Sequence, residues 1–259
     1  MHRGPRGFEP KQGHLAELLS RMPELNDASM PAVELVEFEP LLDSADNRPS
    51  DWQRMADEIA ARYDQIDGVV LLHGTDTMAY TSSALAFLLE GLGKPVIVTG
   101  SQVPLGEVRS DGRENLVASL QLAARTDLHE VCVYFAGSVM RGCRVTKVSA
   151  SGFDAFEAPN EAPIGQVGVD IALRAGAARP AQPGPLRVPH LSEVTVASLR
   201  LFPGIDARFV RNVLQAPLAG LVLETYGTGN APSRDRELLA ALAEATERGV
   251  VVVNITQCL

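Results

Sequence analysis

The chain has 259 residues, 46% of them hydrophobic and 21% charged, enough for one large globular domain or one and a half ordinary ones, and unlike a disordered polypeptide. Its formal charge of -9 is spread without a Lys/Arg cluster, which argues against nucleic acid or an anionic membrane as partner and in favour of a small molecule. Cys132, Cys143 and Cys258 are odd in number and lack Cys-x-x-Cys spacing, so they read as free thiols of a reducing compartment.

The N-terminus, MHRGPRGFEPKQGHL, has no apolar core of signal-peptide length, and no later segment approaches the ~18 apolar residues of a membrane span. A cytoplasmic protein is expected. A helical stretch is expected near His14 to Met22, and another from Pro49 to Gln65, where Trp52, Met55, Ile59 and Tyr63 recur at helical spacing. Gly68 to Leu72 then reads as a buried strand, and Thr81 to Glu90 as a helix closed by Gly91-Leu92-Gly93. After Pro95, Val96 to Thr99 is a second strand, which completes a βαβ unit. Glu114 to Arg125 is the next helix and Glu130 to Ala136 the next strand. This alternation predicts an α/β fold with an open, largely parallel sheet covered by helices on both faces.

From Ala158 to Pro189 the chain is rich in Ala, Gly and Pro without a sustained period, which reads as a linker with one short strand. Alternation then resumes: strand Val194 to Leu199, helix Asp206 to Leu214, strand Gly220 to Glu224, helix Ser233 to Arg248, strand Val250 to Ile255. The expected organisation is an N-terminal domain over residues 1–157, a linker over 158–190 and an incomplete, smaller α/β domain over 191–259. No internal repeat is present.

Ligands of open parallel sheets bind beyond the carboxyl ends of the strands. Two polar clusters stand there: His73-Gly74-Thr75-Asp76-Thr77 after one strand, Thr99-Gly100-Ser101-Gln102 after the next. If the strands are neighbours, the clusters share a crevice. A helix start wants one capping side chain, and Thr75, Asp76 and Thr77 offer three. Capping and chemistry both remain open for them, because a hydroxyl is a weak nucleophile or proton carrier until a base or cation stands beside it. Lys147, in Arg144-Val145-Thr146-Lys147, is either a surface lysine or that partner. The five histidines are scattered with no ligand spacing, so no metal is expected.

The stretch HGTDTMAYTSSALAFLLEGLGKPVIVTGSQVPLGEVRSDGRENL, with YGTGNAP at Tyr226 to Pro232 and VVVNITQC at Val251 to Cys258, closely resembles the bacterial cytoplasmic (type I) L-asparaginases, and the likeness runs from about Phe8 to the last residue. The resemblance implies hydrolysis of L-asparagine to L-aspartate and ammonia through threonine attack and an acyl-enzyme, without a cofactor, in a homodimer or homotetramer. It makes Thr75 the second catalytic threonine and Asp76 the aspartate that grips the substrate's α-ammonium. Lys147 becomes the lysine that completes the triad, and Ser44 the serine that binds the α-carboxylate. Gly74 and Ser101 fall among the substrate-binding positions, the backbone of the Ser101-Gln102 loop lying along the substrate amide. Asp111 and Asn115 are read as organisers of that loop, and Arg109 as a solvated charge.

Three positions depart from the resemblance. The Thr-Gly-Gly-Thr-Ile-Gly motif that carries the nucleophilic threonine does not occur in this sequence. Phe8 falls where relatives often carry a supporting tyrosine. Glu224 stands where some members use an arginine at a regulatory asparagine site. The sequence is therefore expected to be incomplete at both ends, and inactive and poorly soluble as given. The alternatives are a non-catalytic ligand-binding or subunit-interaction remnant and the amidase subunit of a tRNA-dependent amidotransferase.

Overall fold

In a computed structural model the described residues are 2–4, 7–9, 11–181 and 184–259; side chains are described from residue 9 onward, except at 10, 182 and 183. The side chain of Phe8 therefore lies outside the described residues. The chain divides into two compact units, Met1–Leu191 and Ser192–Leu259.

The first unit begins with a short antiparallel pair, β1 (His2–Gly4) and β2 (Gly7–Glu9), and helix α1 (His14–Leu19). Helix α2 (Pro49–Arg62) has Pro at its first turn, where a missing N–H costs nothing, and Asp51 accepts from the Arg48 N–H at 2.9 Å. Then follow β3 (Val69–Leu72), α3 (Met78–Leu88), β4 (Val96–Thr99), α4 (Gly112–Ala123), β5 (Val131–Phe135) and β6 (Ser138–Arg141). Four shorter strands complete it: β7 (Thr146–Lys147), β8 (Phe156–Glu157), β9 (Gly165–Val167) and β10 (Ile171–Leu173). The main sheet has the order β10-β9-β6-β5-β4-β3. Its β3-β4-β5 part is parallel, and antiparallel strands extend the other side.

Successive residues of β4 and β5 point to opposite faces, and both faces are covered. Val96, Val98, Val131, Val133 and Phe135 pack with Met55, Ile59, Leu85 and Leu88 of α2 and α3. Ile97, Cys132 and Tyr134 pack with Ala118 and Leu122 of α4. Strands buried on both sides must be continuous apolar runs, and each such Val or Leu contributes about 1.5–3 kcal/mol.

Three features of the main sheet differ from the sequence reading. Strand β3, expected to be buried, lies at the end of the sheet and is only partly covered, with Leu72 exposed. Strand β6 returns directly after β5 through Ala136 and Gly137, both at positive φ (47° and 83°). That is the geometry of a two-residue hairpin turn, made here with Ala where Asn is the usual signal. Residues 158–190, expected as a linker with one short strand, supply two strands, β9 and β10, and belong to the first unit. Charge holds this segment down. The buried Arg141 guanidinium bonds Glu130 (2.7 Å), Glu161 (3.0 Å) and the Ala177 carbonyl (2.8 Å), while Glu130 also accepts from the Arg179 N–H at 2.8 Å. Strands of three residues, Gly-Gln-Val and Ile-Ala-Leu, have no period long enough to read.

The second unit is a parallel three-stranded sheet, β11 (Thr195–Arg200), β12 (Leu218–Thr225) and β13 (Val251–Thr256), in that order, with α5 (Ala207–Val213) and α6 (Arg236–Glu247). Asp206 and Asp235 cap the two helices, accepting from Arg208 N (2.7 Å) and Leu238 N (3.0 Å). Leu199, Leu221, Leu223, Val210 and Leu238 form its core. Glu224 accepts from the Ser198 hydroxyl at 3.0 Å. The three cysteines are free, with Cys132 buried and Cys258 exposed.

Candidate active site

Strands β3 and β4 are parallel neighbours, with Leu72 opposite Thr99. The loops leaving their carboxyl ends therefore share one edge of the sheet, where such folds bind ligands. The His73 N–H donates to the Thr99 carbonyl at 2.8 Å, and a Cβ at Gly100 would stand 2.2 Å from the His73 carbonyl oxygen. Only glycine permits that approach.

In the first loop, Thr77 occupies the N-cap position of α3 without a capping bond. Its hydroxyl donates instead to the Ser44 carbonyl at 2.7 Å. Thr75 and Asp76 both meet Lys147, whose Nζ lies 2.8 Å from Thr75 Oγ1 and 2.7 Å from Asp76 Oδ1. All three side chains of the loop are thus turned to other segments, and simple capping does not account for them. Lys147 sits on β7, paired with Phe156 of β8, and is 20% exposed against 70% for Asp76. An ion pair so open to water contributes about 0–1 kcal/mol, so its consequence is local geometry rather than stability.

Ser44 is buried at the start of a 3-10 turn, Ser44–Asp46, whose first residues are fixed by Asp43 accepting from Ala45 N at 3.1 Å. A Cβ at Gly74 would fall 2.3 Å from Ser44 Oγ, so the bare α-carbon of Gly74 is what lets that hydroxyl lie against the loop. Ser44, Gly74, Thr75, Asp76 and Lys147 are therefore brought together. Ser101 is half-buried on the neighbouring loop and, among the described residues, no hydrogen bond joins it to the other five.

The second loop is held through its backbone. The Asp111 carboxylate accepts from the N–H groups of Gln102 and Val103, each at 3.0 Å. The Asn115 amide donates to the Gly100 carbonyl at 3.0 Å and to Asp111 at 3.3 Å, and its oxygen accepts from Ala136 N at 3.3 Å. Gln102 Nε2 donates to the Gly152 carbonyl at 3.0 Å. Arg109 is exposed. Among the described residues no group of three His, Cys, Asp or Glu stands together as metal ligands would.

Sequence reasoning missed a buried set beneath the first loop. His73 Nδ1 lies 2.7 Å from the Gly74 carbonyl, and Nε2 lies 2.8 Å from Asn47 Nδ2 and 2.9 Å from Thr81 Oγ1. Trp52 Nε1 donates to the same Thr81 hydroxyl at 3.0 Å. Burial pushes the His73 pKa below the ordinary histidine range, and the Gly74 carbonyl only partly offsets it. The available signal was a histidine directly after an apolar strand.

Residues 2–179 match the family model described as "Asparaginase, N-terminal", and residues 195–259 match "Glutaminase/Asparaginase C-terminal domain". The chain belongs to the asparaginase family. It is 48% identical over 259 residues to L-asparaginase 1 of Escherichia coli K12, covering 100% of this chain and 76% of that protein. The crystal structure of L-asparaginase I from Vibrio cholerae superposes with a TM-score of 0.91 at 45% identity, over 99% of this chain and 78% of that one. A glutamyl-tRNA(Gln) amidotransferase subunit of Thermococcus kodakarensis is 34% identical over 226 residues, covering 83% of this chain and 50% of that protein. The mixed α/β architecture is that of the asparaginase fold, and the family is one of hydrolases acting on amides.

Proposed function

We propose that this chain carries the substrate grip and proton relay of an L-asparaginase, which converts L-asparagine and water to L-aspartate and ammonia. The observation that supports this best is a single ammonium nitrogen of Lys147 in contact with both Thr75 and Asp76. Asp76 Oδ1 is engaged by Lys147, which leaves its other oxygen, in a mostly exposed carboxylate, for the α-ammonium of an amino acid. The Ser44 hydroxyl takes the α-carboxylate, and the Ser101-Gln102 loop lies along the side-chain amide. Holding both ends of the substrate aims its amide at the Thr75 hydroxyl.

In the relay, water attacking the acyl carbon gives its proton to Thr75 as Thr75 passes its own to the nucleophile's oxygen, which leaves as the acyl bond breaks, with the Lys147 ammonium donating to Thr75 Oγ1 throughout. The same path run backwards delivers a proton to the departing amide nitrogen, which leaves as ammonia. No step calls for a cofactor or metal. The family's nucleophile is the threonine of a motif absent from this sequence, so residues 1–259 alone are proposed to release little or no ammonia. The proposed setting is cytoplasmic, as a dimer or tetramer. Among the described residues, no helix is long and apolar enough to cross a membrane.

The test is calorimetric titration of residues 1–259 with L-aspartate and L-asparagine. Binding of both is expected, and heat from neither at millimolar ligand would overturn the reading. Ammonia release is measured beside it, for this chain and for the full-length gene product. Comparable turnover by the two would assign the nucleophile to a residue of this chain. The amidotransferase reading is less favoured, because the stronger matches are free-standing asparaginases covered over about three quarters of their length (76% and 78%).

A further inference from the structure

Two bonds fix the turn that carries Ser44, one at each end. At the first end Thr77 donates to the Ser44 carbonyl at 2.7 Å. At the other, three residues on, Asn47 meets the His73 ring at 2.8 Å. Between them the turn is short of slack, since Ser44 Oγ already lies where a Cβ on Gly74 would be 2.3 Å away. A shift of a few tenths of an ångström at Asn47 must therefore move the Ser44 hydroxyl relative to Thr75 and Asp76.

The partners of His73 also determine its tautomer. A backbone carbonyl can only accept, so the Gly74 oxygen at 2.7 Å requires a proton on Nδ1. An amide nitrogen can only donate, so Asn47 Nδ2 requires a lone pair on Nε2. Thr81 agrees: its oxygen receives the Trp52 indole N–H, leaving its own proton to go to Nε2. One ring thus links α3, the Ser44 turn and the loop of Thr75 and Asp76, and through Thr81 it reaches Trp52 of α2. A surface or purely space-filling histidine would not need all three direct partners.

We propose that His73 is a positioning residue for this site: a neutral ring carrying its proton on Nδ1, it ties the turn that bears Ser44 to the loop that bears Thr75 and Asp76. The inference rests on the reading that Ser44 and Asp76 hold the two ends of an amino acid. The lowered His73 pKa agrees with it, because a ring that must accept at Nε2 has to stay uncharged. Among the described residues the Asn47 amide oxygen is buried without a partner, so the Asn47 side chain is held through its amide nitrogen, beside a backbone bond from the Asn47 N–H to the Ser44 carbonyl at 3.5 Å. Losing the ring's acceptor would leave the far end of the turn without that bond.

The experiment uses the 259-residue chain with ¹³C,¹⁵N-histidine, the His73 signals being assigned by their loss in His73→Gln. The expected spectrum is the Nδ1–H tautomer at neutral pH, and an Nε2–H tautomer or a charged ring overturns the proposal. L-Aspartate is then titrated into wild type, Asn47→Ala, His73→Gln and His73→Leu. Asn47 lies on a partly exposed turn outside the core, so Asn47→Ala tests the link even if His73→Leu fails to fold. A lost hydrogen bond of this kind predicts a Kd raised roughly three- to tenfold in Asn47→Ala. His73→Gln, whose amide oxygen reaches the Nε2 place and can accept from Asn47 and Thr81, is expected within about threefold of wild type. Wild-type affinity in Asn47→Ala overturns the positioning role and leaves the functional reading standing. No aspartate binding by wild type overturns the functional reading, and the tautomer then decides the link by itself.

Discussion

The two loops at the edge of the sheet are built in opposite ways. The one after β3 spends its side chains: Thr75 and Asp76 on Lys147, Thr77 on the Ser44 carbonyl, His73 on Asn47 and Thr81. The one after β4 is held by its main chain, with Asp111 on two of its N–H groups and Asn115 on the Gly100 carbonyl. The first loop therefore presents side chains, and the second presents backbone while, among the described residues, its Ser101 hydroxyl has no hydrogen-bond partner. Substitutions should separate them: side-chain changes in the first loop act on chemistry and affinity, and in the second on stability.

The largest effect is expected from Lys147→Met, which keeps the stem and removes the nitrogen shared by Thr75 and Asp76. Loss of a group on which the proposed proton relay depends lowers kcat by about 10²–10⁴-fold, measured as ammonia release in the full-length gene product. Unchanged turnover with a normal circular dichroism spectrum would return Lys147 to the role of a surface charge. Next is Asp76→Asn, which removes the charge from the proposed bond to the substrate ammonium. A charge-assisted bond worth ~1.5–3 kcal/mol corresponds to roughly ten- to hundredfold in affinity. Calorimetry of L-aspartate binding reads it, and a change under about twofold would remove Asp76 from the site.

Asp111→Ala probes the other loop. Two N–H groups lose their acceptor, and the expected cost is about 1–3 kcal/mol of stability, read as a lower midpoint in urea. If Asp111→Ala left the midpoint in place while abolishing binding, the backbone-held description of the second loop would be wrong. Ser101→Ala should do least, leaving aspartate affinity within about twofold, because only the main chain at that position is assigned to the substrate. A tenfold loss would give the Ser101 hydroxyl a direct contact.

Much of the parallel half was readable because burial on both faces forces uninterrupted apolar runs such as Val96 to Val98 and Val131 to Phe135. Helix starts were less so: α3 begins at Met78 rather than Thr81, since the residues before it carry site groups rather than caps. Strand β6 was hidden by an Ala-Gly turn, and β9 and β10 by their brevity. In the proposed site, Thr75, Asp76, Ser44 and Lys147 were reached through family resemblance, whereas spacing alone left capping and chemistry equally open for Thr75 and Asp76 and favoured a surface charge for Lys147. The His73 set was illegible because Asn47, Trp52, His73 and Thr81 are spread over two helices, a turn and a loop, and none is unusual by itself.

The contact between the His73 carbonyl and Gly100 bears on how this crevice could be re-engineered. With the α-carbon of one loop pressed against the peptide of the other, the two cannot be lengthened or tilted one at a time. An insertion meant to widen the pocket for a bulkier amide would drive Gly100 into His73 and, through the ring, disturb Asn47 and Ser44. Breadth of substrate would have to be sought by trading side chains on a frame of fixed span, or by redesigning both loops together.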